Sequence, residues 1–325
     1  MIIITGGAGF IGSALVSHLN KLGHNNIIIV DHLRKEEKWK NLNGLDFYDI
    51  INKDDFFNWL IDDRVPFSMD SVIHLGACSY TTEKDADYLL QNNFRYSQEL
   101  VKYCLPRRTR FIYASSAATY GDGSNGYDDN TDSLQLNPLN MYGYSKNLFD
   151  IWTKKMEIDS KIVGLKFFNV YGPNEYHKKD MRSVVHKAFE QITETGKLKL
   201  FKSDNPDYPD GEQRRDFIYV KDVTEVINFF FENRDKGGLF NVGTGKSRTW
   251  NDLAKAVFNA MDKPVNIEYI ELPPHLKGKY QYFTEAKTDK LRDAGYTKEF
   301  TSLEDGITEY IKKYLLKNKY FGLTK

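Results

Sequence analysis

The sequence predicts an α/β fold in which a doubly wound parallel sheet is joined to a smaller, interwoven C-terminal α/β domain. Short β-branched segments alternate with longer segments of helical periodicity through the first half of the chain. The first predicted strand runs directly into a glycine-rich turn, and the alternation becomes irregular after residue 169. A βαβα order of this kind is typical of a parallel sheet with helices on both faces.

The spacing of apolar residues defines the individual elements. Compact apolar runs predict buried strands at residues 2–5, 26–31, 70–76, 110–115 and 161–168. Apolar residues at helical spacing predict helices at 10–22, 88–104 and 144–154. In the second half we expect helices at 222–233 and 250–261, a short strand at 240–242, and a terminal helix from about 302 toward 317. Residues 203–214 are too polar for a core and are predicted to form a loop.

Composition excludes several classes of protein. The chain has 325 residues, enough for a sizeable core and two lobes. Its 45 basic and 45 acidic residues cancel, which argues against nucleic acid or a membrane surface as a partner. Two cysteines, Cys78 and Cys104, suggest neither a disulfide framework nor a metal site. With no apolar run of membrane-spanning length and no signal-peptide pattern, we expect a cytoplasmic protein with reduced thiols.

The glycine-rich turn after the first strand predicts a dinucleotide site. Gly6 would permit the tight turn, Gly9 would let the backbone approach a pyrophosphate, and Gly12 would let the following helix pack against the sheet. Asp31 ends the second predicted strand at the distance expected for a contact with a ribose. A glycine turn without a ligand is the weaker interpretation, because the motif stands between a predicted strand and a predicted helix.

The choice between NAD and NADP depends on the charges near Asp31. A carboxylate favours a free ribose hydroxyl, which favours NAD. Arg34, Lys35, Lys38 and Lys53 lie in or soon after the same region, and any of them could neutralise a 2′-phosphate. We predict NADP and keep NAD as the alternative.

Tyr142 and Lys146 lie four residues apart, a spacing at which both side chains would project from one face of a helix. A nearby cation favours the phenolate, which would make Tyr142 a proton acceptor from an alcohol. Taken alone, this spacing is more often an ordinary surface pair. Ser116 comes at the carboxyl end of the predicted strand 110–115, where the ligands of such sheets bind.

Together these motifs resemble the extended short-chain dehydrogenase/reductase superfamily, whose members carry the Rossmann fold. The resemblance continues through nearly the whole chain, at Asn92, 168–173, 215–220 and 240–243. Within it, the sugar-nucleotide dehydratases carry an Asp-Glu pair after the Ser116-equivalent hydroxyl. Ala117 and Ala118 stand there in this chain, so epimerisation or simple oxidation is favoured over dehydration.

A closer resemblance is to the ADP-L-glycero-D-manno-heptose 6-epimerase family, which makes a heptose precursor of bacterial lipopolysaccharide with tightly held NADP. It is carried by residues 76–83, 115–121, 169–173 with His177 and Lys178, and 276–281 with Phe283 and Thr284. The resemblance implies a homo-oligomeric isomerase that inverts C6″ through a transient 6″-ketone. It also implies that Tyr142 and Lys178 act as two acid/base groups, with Lys146 and Ser116 assisting Tyr142. Without the resemblance, Lys178 is nearly as well interpreted as a solvated loop lysine.

The remaining site residues are also implied by this resemblance. The matching cofactor positions are Gly6, Gly9, Phe10, Ile11, Gly12, Asp31, His32, Lys38, Lys53, Leu75, Gly76, Ala77, Cys78, Ser79, Asn92, Lys146, Val170 and Lys178. The matching substrate positions are Ser116, Asn169, Asp180, Lys187, Phe201, Arg215 and Tyr280. For Arg215, whose guanidinium suits a diphosphate, the alternative is a structural ion pair with Asp216. The implied NADP-binding Rossmann domain comprises 1–168 with about 213–236 and 284–298, and the substrate-binding domain comprises about 169–212, 237–283 and 299–325.

Several positions depart from the family pattern and leave the substrate open. Leu75 stands where an acidic residue is common, Tyr80 where a serine is common, and Asp180 replaces a serine. Lys187, or His186 after a shift of one residue, replaces a histidine, and the loop 203–214 is longer and more acidic than expected. A GDP-linked heptose or a UDP-sugar inverted at C4″ therefore remains an alternative. A non-catalytic NADP-binding sensor is a third hypothesis, disfavoured because Ser116, Tyr142 and Lys146 are all present.

Overall fold

The computed structural model describes residues 1–35, 37–62, 64, 68–274 and 280–323. Its centre is a seven-stranded, all-parallel sheet with the strand order β11-β6-β5-β4-β1-β2-β3, which confirms the predicted doubly wound fold. The strand order reverses at β1. The crevice above the carboxyl end of β1 is therefore the expected ligand position. The strands of this sheet are β1 (Ile2–Thr5), β2 (Ile27–Asp31), β3 (Asp49–Asn52), β4 (Ser71–His74), β5 (Arg110–Ser116), β6 (Val163–Phe167) and β11 (Gly238–Val242).

Three two-stranded sheets complete the strand content of the described residues. They pair β7 (Asn169–Tyr171) with β10 (Phe217–Tyr219), β8 (Leu198–Phe201) with β13 (Ile267–Ile270), and β9 (Arg214–Arg215) with β12 (Arg248–Thr249). The predicted domain division stays a prediction, but β11, assigned to the second domain, pairs with β6 in the large sheet.

Most helices fall where the periodicity predicts them. The helices are α1 (Phe10–Lys21), α2 (Phe56–Ile61), α3 (Ala86–Leu89), α4 (Tyr96–Cys104), α5 (Met141–Lys155), α6 (Val184–Thr195), α7 (Val220–Glu232), α8 (Trp250–Ala260), α9 (Asp289–Asp293) and α10 (Leu303–Glu309). A π-helical turn, Leu90–Arg95, joins α3 to α4, and another, Tyr310–Tyr314, follows α10. Both interrupt helices that the sequence predicts as continuous. Within the described residues, every helix is too short or too polar to cross a bilayer.

The sequence interpretation missed several elements, among them β3, α2, α6, β8 and β13. The strands are short, and β8 buries only one face, with Leu198 and Leu200 inside and Lys199 exposed. Helix α6 did carry a signal, because Val185, Ala188 and Ile192 are buried at helical spacing after an N-cap serine, Ser183.

Alternate residues of the central strands pack on opposite faces of the sheet. Ile2 and Ile4 join a core with α1 and α7, whereas Ile3 joins a different core with α4 and α5. Because both faces are covered, the central strands are apolar at nearly every position. A third core lies among α6, α8 and α10, outside the large sheet.

A buried ion pair fixes α5 against the sheet. The carboxylate of Asp150 accepts hydrogen bonds from Tyr113 (3.0 Å) and Ser115 (2.7 Å) on β5 and from Lys166 Nζ (2.8 Å) on β6. Lys166 also donates to Thr119 Oγ1 at 2.6 Å. Burial of two charges is costly unless each is paired and hydrogen-bonded, and here both conditions are met.

We expect Lys166→Met to lower the free energy of unfolding by about 3–5 kcal/mol, because it leaves the Asp150 carboxylate buried without its cation. Urea denaturation followed by circular dichroism measures this change. Lys154→Met is the matched control, since the Lys154–Asp132 pair is largely exposed and its loss should cost about 1 kcal/mol or less. Equal destabilisation by the two variants would contradict the prediction.

Candidate active site

A cavity of about 800 Å³ opens where the strands of the large sheet end. Its walls come from the glycine turn, the segment after β4, the start of α5 and the loop after β7. The structure thereby brings together most of the residues predicted as site residues: Gly6, Gly9, Phe10, Ile11, Gly12, Asp31, His32, Lys38, Lys53, Leu75, Gly76, Ala77, Cys78, Ser79, Asn92, Ser116, Tyr142, Lys146, Asn169, Val170 and Lys178.

The glycine turn has no space for side chains. Gly6 has a φ of +70°, and a Cβ there would lie 2.7 Å from the backbone nitrogen of Gly76. A Cβ on Gly12 would lie 2.1 Å from the carbonyl oxygen of Gly6. The turn therefore packs directly against the segment after β4 and presents backbone N–H groups at the start of α1. These residues fit the pyrophosphate of a dinucleotide.

Asp31 lines the end of the cavity where the adenosine of such a cofactor is expected. Its Oδ2 accepts a hydrogen bond from the backbone of Ala8 (2.9 Å), and Oδ1 accepts from His32 N (2.7 Å) and Lys38 Nζ (2.7 Å). The carboxylate thus helps to hold the glycine turn, and Lys38 neutralises its charge. Arg34 also lines the cavity at this end.

Lys53 and Asn92 form the next part of the wall. Lys53 Nζ donates to Asn92 Oδ1 and lies 5.1 Å from the centre of the Tyr96 ring. Burial lowers the pKa of Lys53. Asn93 accepts from Cys78 N (2.9 Å) and donates to Cys78 O and Ser145 Oγ, both at 3.0 Å. Sequence reasoning missed Asn93, which fastens the segment after β4 to α5.

The start of α5 carries the predicted proton acceptor. Asn140 caps this helix by accepting from the Gly143 backbone at 2.8 Å. A Cβ on Gly143 would lie 2.6 Å from the Ala118 carbonyl oxygen, so a glycine is needed for α5 to approach the Ser116 turn. This close approach places the Tyr142 phenol beside the Ser116 hydroxyl.

The electrostatics of this pair differ from the sequence expectation. Burial raises the pKa of Tyr142, and the Ser116 hydroxyl partly opposes that rise. Lys146 Nζ instead donates to the Ala114 carbonyl oxygen at 2.9 Å, and burial lowers the pKa of Lys146 to about 8. The predicted lowering of the Tyr142 pKa by Lys146 is therefore not found in this structure.

Lys178 reaches the same cavity from a different wall. It lies in the 3₁₀ segment Tyr176–Met181, and its Nζ lies 5.6 Å from the centre of the Phe10 ring. Burial lowers the pKa of Lys178, and the Glu175 carboxylate partly opposes this. The solvated-lysine interpretation fits Lys179, which is exposed, but not Lys178.

Arg215 forms a second cluster next to the cavity. Its guanidinium lies 5.6 Å from the Trp250 ring centre and 5.4 Å from that of Tyr280, whose ring contacts Phe201 at 6.4 Å. Trp250 also lines the cavity, so it joins the two regions. The alternative ion pair with Asp216 is not formed. Asp216 instead accepts from backbone and hydroxyl groups at 244, 245 and 286.

Two predicted substrate residues lie away from the cavity. Asp180 and Lys187 are exposed and contact each other, with Lys187 Nζ donating to the Asp180 carbonyl oxygen at 2.5 Å. His186, the alternative after a one-residue shift, is buried and contacts the Tyr310 hydroxyl at 2.9 Å. In the motif 276–281, residues 276–279 lie outside the described residues.

Several cavity residues were not predicted, among them Thr5, Tyr96, Met181, Arg182, Ser183 and Trp250. Residues 181–183 had a weak sequence signal, because they follow soon after Lys178 on the same loop. Trp250 opens a predicted helix, and nothing in the sequence marks it as facing a ligand.

Comparison with known proteins places this site in a family. Residues 2–243 match the NAD dependent epimerase/dehydratase family. The chain is 57% identical over 316 residues to an ADP-L-glycero-D-manno-heptose-6-epimerase of Nitratidesulfovibrio vulgaris, covering 97% of this chain and 98% of that relative. It is 50% identical over 327 residues to the enzyme of the same name from Fusobacterium nucleatum, covering 98% of each.

Solved structures agree in fold. The ADP-L-glycero-D-manno-heptose-6-epimerase of Helicobacter pylori superimposes with a TM-score of 0.80 at 29% identity, covering 96% of this chain and 95% of that one. A UDP-N-acetylglucosamine 4-epimerase of Methanobrevibacter ruminantium gives a TM-score of 0.82 at 25% identity, covering 98% of each chain. With this similarity over nearly its full length, the chain belongs to the NAD dependent epimerase/dehydratase family and, within it, to the ADP-L-glycero-D-manno-heptose-6-epimerases.

Proposed function

We propose that this protein is an NADP-dependent isomerase that inverts C6″ of ADP-D-glycero-D-manno-heptose to give ADP-L-glycero-D-manno-heptose, a precursor for lipopolysaccharide. One observation carries the proposal: Tyr142 and Lys178, two groups able to transfer a proton, line one cavity that also contains the glycine turn. Inversion of a carbinol carbon requires acid/base groups on two sides, or a large rotation of the ligand.

Tyr142 is proposed to take the proton of the C6″ hydroxyl on one side. Ser116, whose hydroxyl faces the phenol, hydrogen-bonds the reacting oxygen. Gly6, Gly9 and Gly12 of the glycine turn would hold NADP, which would supply reversible hydride transfer at C6″. Lys146, which lines the same cavity one helical turn after Tyr142, is proposed to bind the cofactor ribose through its ammonium group.

Lys178 is proposed to exchange the proton on the other side. Its partial burial favours the neutral amine relative to an exposed lysine, which makes proton exchange near neutral pH easier. Arg215, with Phe201 and Tyr280 beside it, suits the diphosphate and the base of the substrate. Asn169 lines the cavity. Asp180 and Lys187 are left out of the proposed site because both are exposed and contact each other.

NADP is proposed over NAD because of the charge balance at Asp31. Lys38 already neutralises this carboxylate, and three donors occupy its oxygens. Arg34 and Lys53 add positive charge to the same end of the cavity. A 2′-phosphate would meet these cations there, and the Asp31 carboxylate is already paired with Lys38.

An epimerase acting at C4″ of another nucleotide sugar is the second candidate, supported by the similarity in fold to a UDP-N-acetylglucosamine 4-epimerase. A ring ketone can rotate past a single tyrosine, so a second acid/base would be unnecessary. The cavity position of Lys178 therefore favours inversion at C6″. We also propose a cytoplasmic location, since Cys78 and Cys104 are free thiols. The homo-oligomeric state stays a prediction.

The function is tested by incubating the purified protein with ADP- and GDP-linked heptoses and with UDP-hexoses in D₂O, followed by NMR of the products. We expect inversion at C6″ of the ADP-heptose without deuterium at that carbon. Tyr142→Phe and Lys178→Met should each lower kcat by about 100-fold or more, while NADP stays bound. Lys179→Met is the control because Lys179 is exposed. Near-normal turnover in either of the first two variants would remove the acid/base assignment.

The cofactor assignment is tested by extracting the nucleotide from purified protein and by titration with NADP and NAD. We expect NADP in the extract. Arg34→Met should weaken NADP about tenfold, equivalent to about 1.4 kcal/mol, and leave NAD almost unchanged. Lys35→Met is the matched control, since Lys35 is exposed and is not part of the cavity wall. Recovery of mainly NAD would overturn the choice.

Activity should decrease as the pH rises through about 8, because the pKa of Lys146 is lowered to about 8 and its charge is lost there. Initial epimerisation rates across the alkaline range measure this limb. Lys146→Arg keeps its charge at higher pH, so the alkaline limb should move to higher pH, even at a lower maximal rate. Lys155→Arg, an exposed position at the end of the same helix, should leave the limb in place. An unmoved limb in Lys146→Arg would contradict this assignment.

A further inference from the structure

We propose that Glu175 is a positioning residue for Lys178, because its buried carboxylate closes the loop 172–183 and lines the same cavity as the lysine that this loop carries. The inference rests on the proposed acid/base role of Lys178 and adds a residue to it. Glu175 is only 1% exposed, and it lines the cavity together with Lys178.

The Glu175 carboxylate joins the two ends of this loop. Its Oε1 accepts hydrogen bonds from Ser183 Oγ at 2.6 Å and, more weakly, from the Gly172 backbone at 3.4 Å. Its Oε2 accepts from the Ser183 backbone nitrogen. Ser183 is the N-cap of α6 and Gly172 follows β7, so the carboxylate ties the loop to two regular elements. Lys178 lies between these two anchor points.

The loop needs such an anchor because its own backbone is irregular. Lys179 adopts φ 49° and ψ −123°, outside the helical region, in the middle of the 3₁₀ segment. A side chain other than glycine adopts a positive φ only when surrounding contacts hold it there. Within the loop, Lys178 N donates to the Glu175 carbonyl oxygen at 3.0 Å, and Arg182 donates to the Lys179 carbonyl oxygen from its backbone nitrogen at 3.1 Å and from Nε at 2.8 Å.

Glu175 is also the source of negative charge that acts on Lys178. From α1, the lysine meets the apolar ring of Phe10. His177, its neighbour in the chain, is neutral near pH 7, because burial lowers its pKa to about 4. Lys38, which acts on His177, is paired with Asp31.

Among the described residues, the other groups near Glu175 do not supply a second cation for its carboxylate. Burial raises the pKa of Tyr310 well above its usual value and lowers that of His186 to about 4, so both are neutral. Arg182 is charged but pairs with Glu190 at 2.5 Å. Burial raises the pKa of Glu175, and the hydrogen bonds from Ser183, followed by the positive charge of Lys178, oppose that rise.

Glu175→Gln keeps the shape of the side chain and removes its charge, so it separates position from electrostatics. Without the carboxylate, burial lowers the pKa of Lys178 unopposed. The limb of the pH–rate profile that reports the ionisation of Lys178 therefore moves to lower pH. We expect kcat to fall about tenfold, with KM and the affinity for NADP almost unchanged. Glu194→Gln is the matched control, because it removes an exposed carboxylate of α6 that is not part of the cavity wall.

Glu175→Asp provides the second variant. It keeps the charge but shortens the reach to Ser183, so kcat should fall while the limb stays at its wild-type pH. Thermal unfolding of every variant is measured in parallel. A wild-type kcat and pH profile in Glu175→Gln would overturn the proposal. So would a loss of activity that follows thermal stability and leaves the limb unmoved, since that result indicates a purely structural role.

Lys178→Met separates this inference from the proposed function. If Lys178→Met retains near-normal turnover, the acid/base assignment itself fails. If Lys178→Met is inactive and Glu175→Gln behaves as wild type, only the role of Glu175 fails. The double variant should be no slower than Lys178→Met alone, because Glu175 acts through the lysine; additive losses would contradict that route.

Discussion

The buried carboxylate of Asp150 holds α5 against β5 and β6, and the proposed active site depends on that attachment. Hydrogen bonds from Tyr113, Ser115 and Lys166 bind the middle of the helix to both strands. The helix start then lies against the turn that follows β5, at a distance that only Gly143 allows. A proton acceptor on a helix and a hydroxyl on a strand end can act on one atom only if the two elements cannot shift relative to each other.

The opposite wall is attached to the glycine turn by amide side chains. Asn41 Nδ2 donates to the carbonyl oxygens of Ala8 and Asn174, both at 3.0 Å. Asn174 Nδ2 in turn donates to Ser13 Oγ on α1 at 2.9 Å. Asn174 belongs to the loop 172–183 that carries Lys178, so the position of this loop is coupled to the turn proposed to bind the cofactor. The two proposed acid/base groups thus belong to different walls, each fixed to the same sheet.

Much of the fold and part of the site were predictable from local patterns. β-Branched runs, glycine spacing and helical periodicity predicted the central strands, α1, α5 and α7 closely, because these elements are buried on two faces or along a full stripe. The short strands β3, β8 and β13 were missed, since a few residues with one buried face resemble a loop. Asp180 and Lys187 were predicted from position in a family motif, and their exposure shows that sequence position did not fix which side of the loop they occupy.

By itself the sequence determined the doubly wound sheet, the glycine turn and the identity of Tyr142, Lys146, Ser116 and Lys178 as candidates. Tertiary structure decided the electrostatics, because burial depends on neighbours that are distant in sequence. It raised the pKa of Tyr142 and directed Lys146 to a backbone carbonyl, although helical spacing predicted a direct effect of one on the other. It also brought Glu175 and Ser183 together around Lys178. Spacing along one helix is local information, whereas desolvation and charge pairing are set by the whole fold.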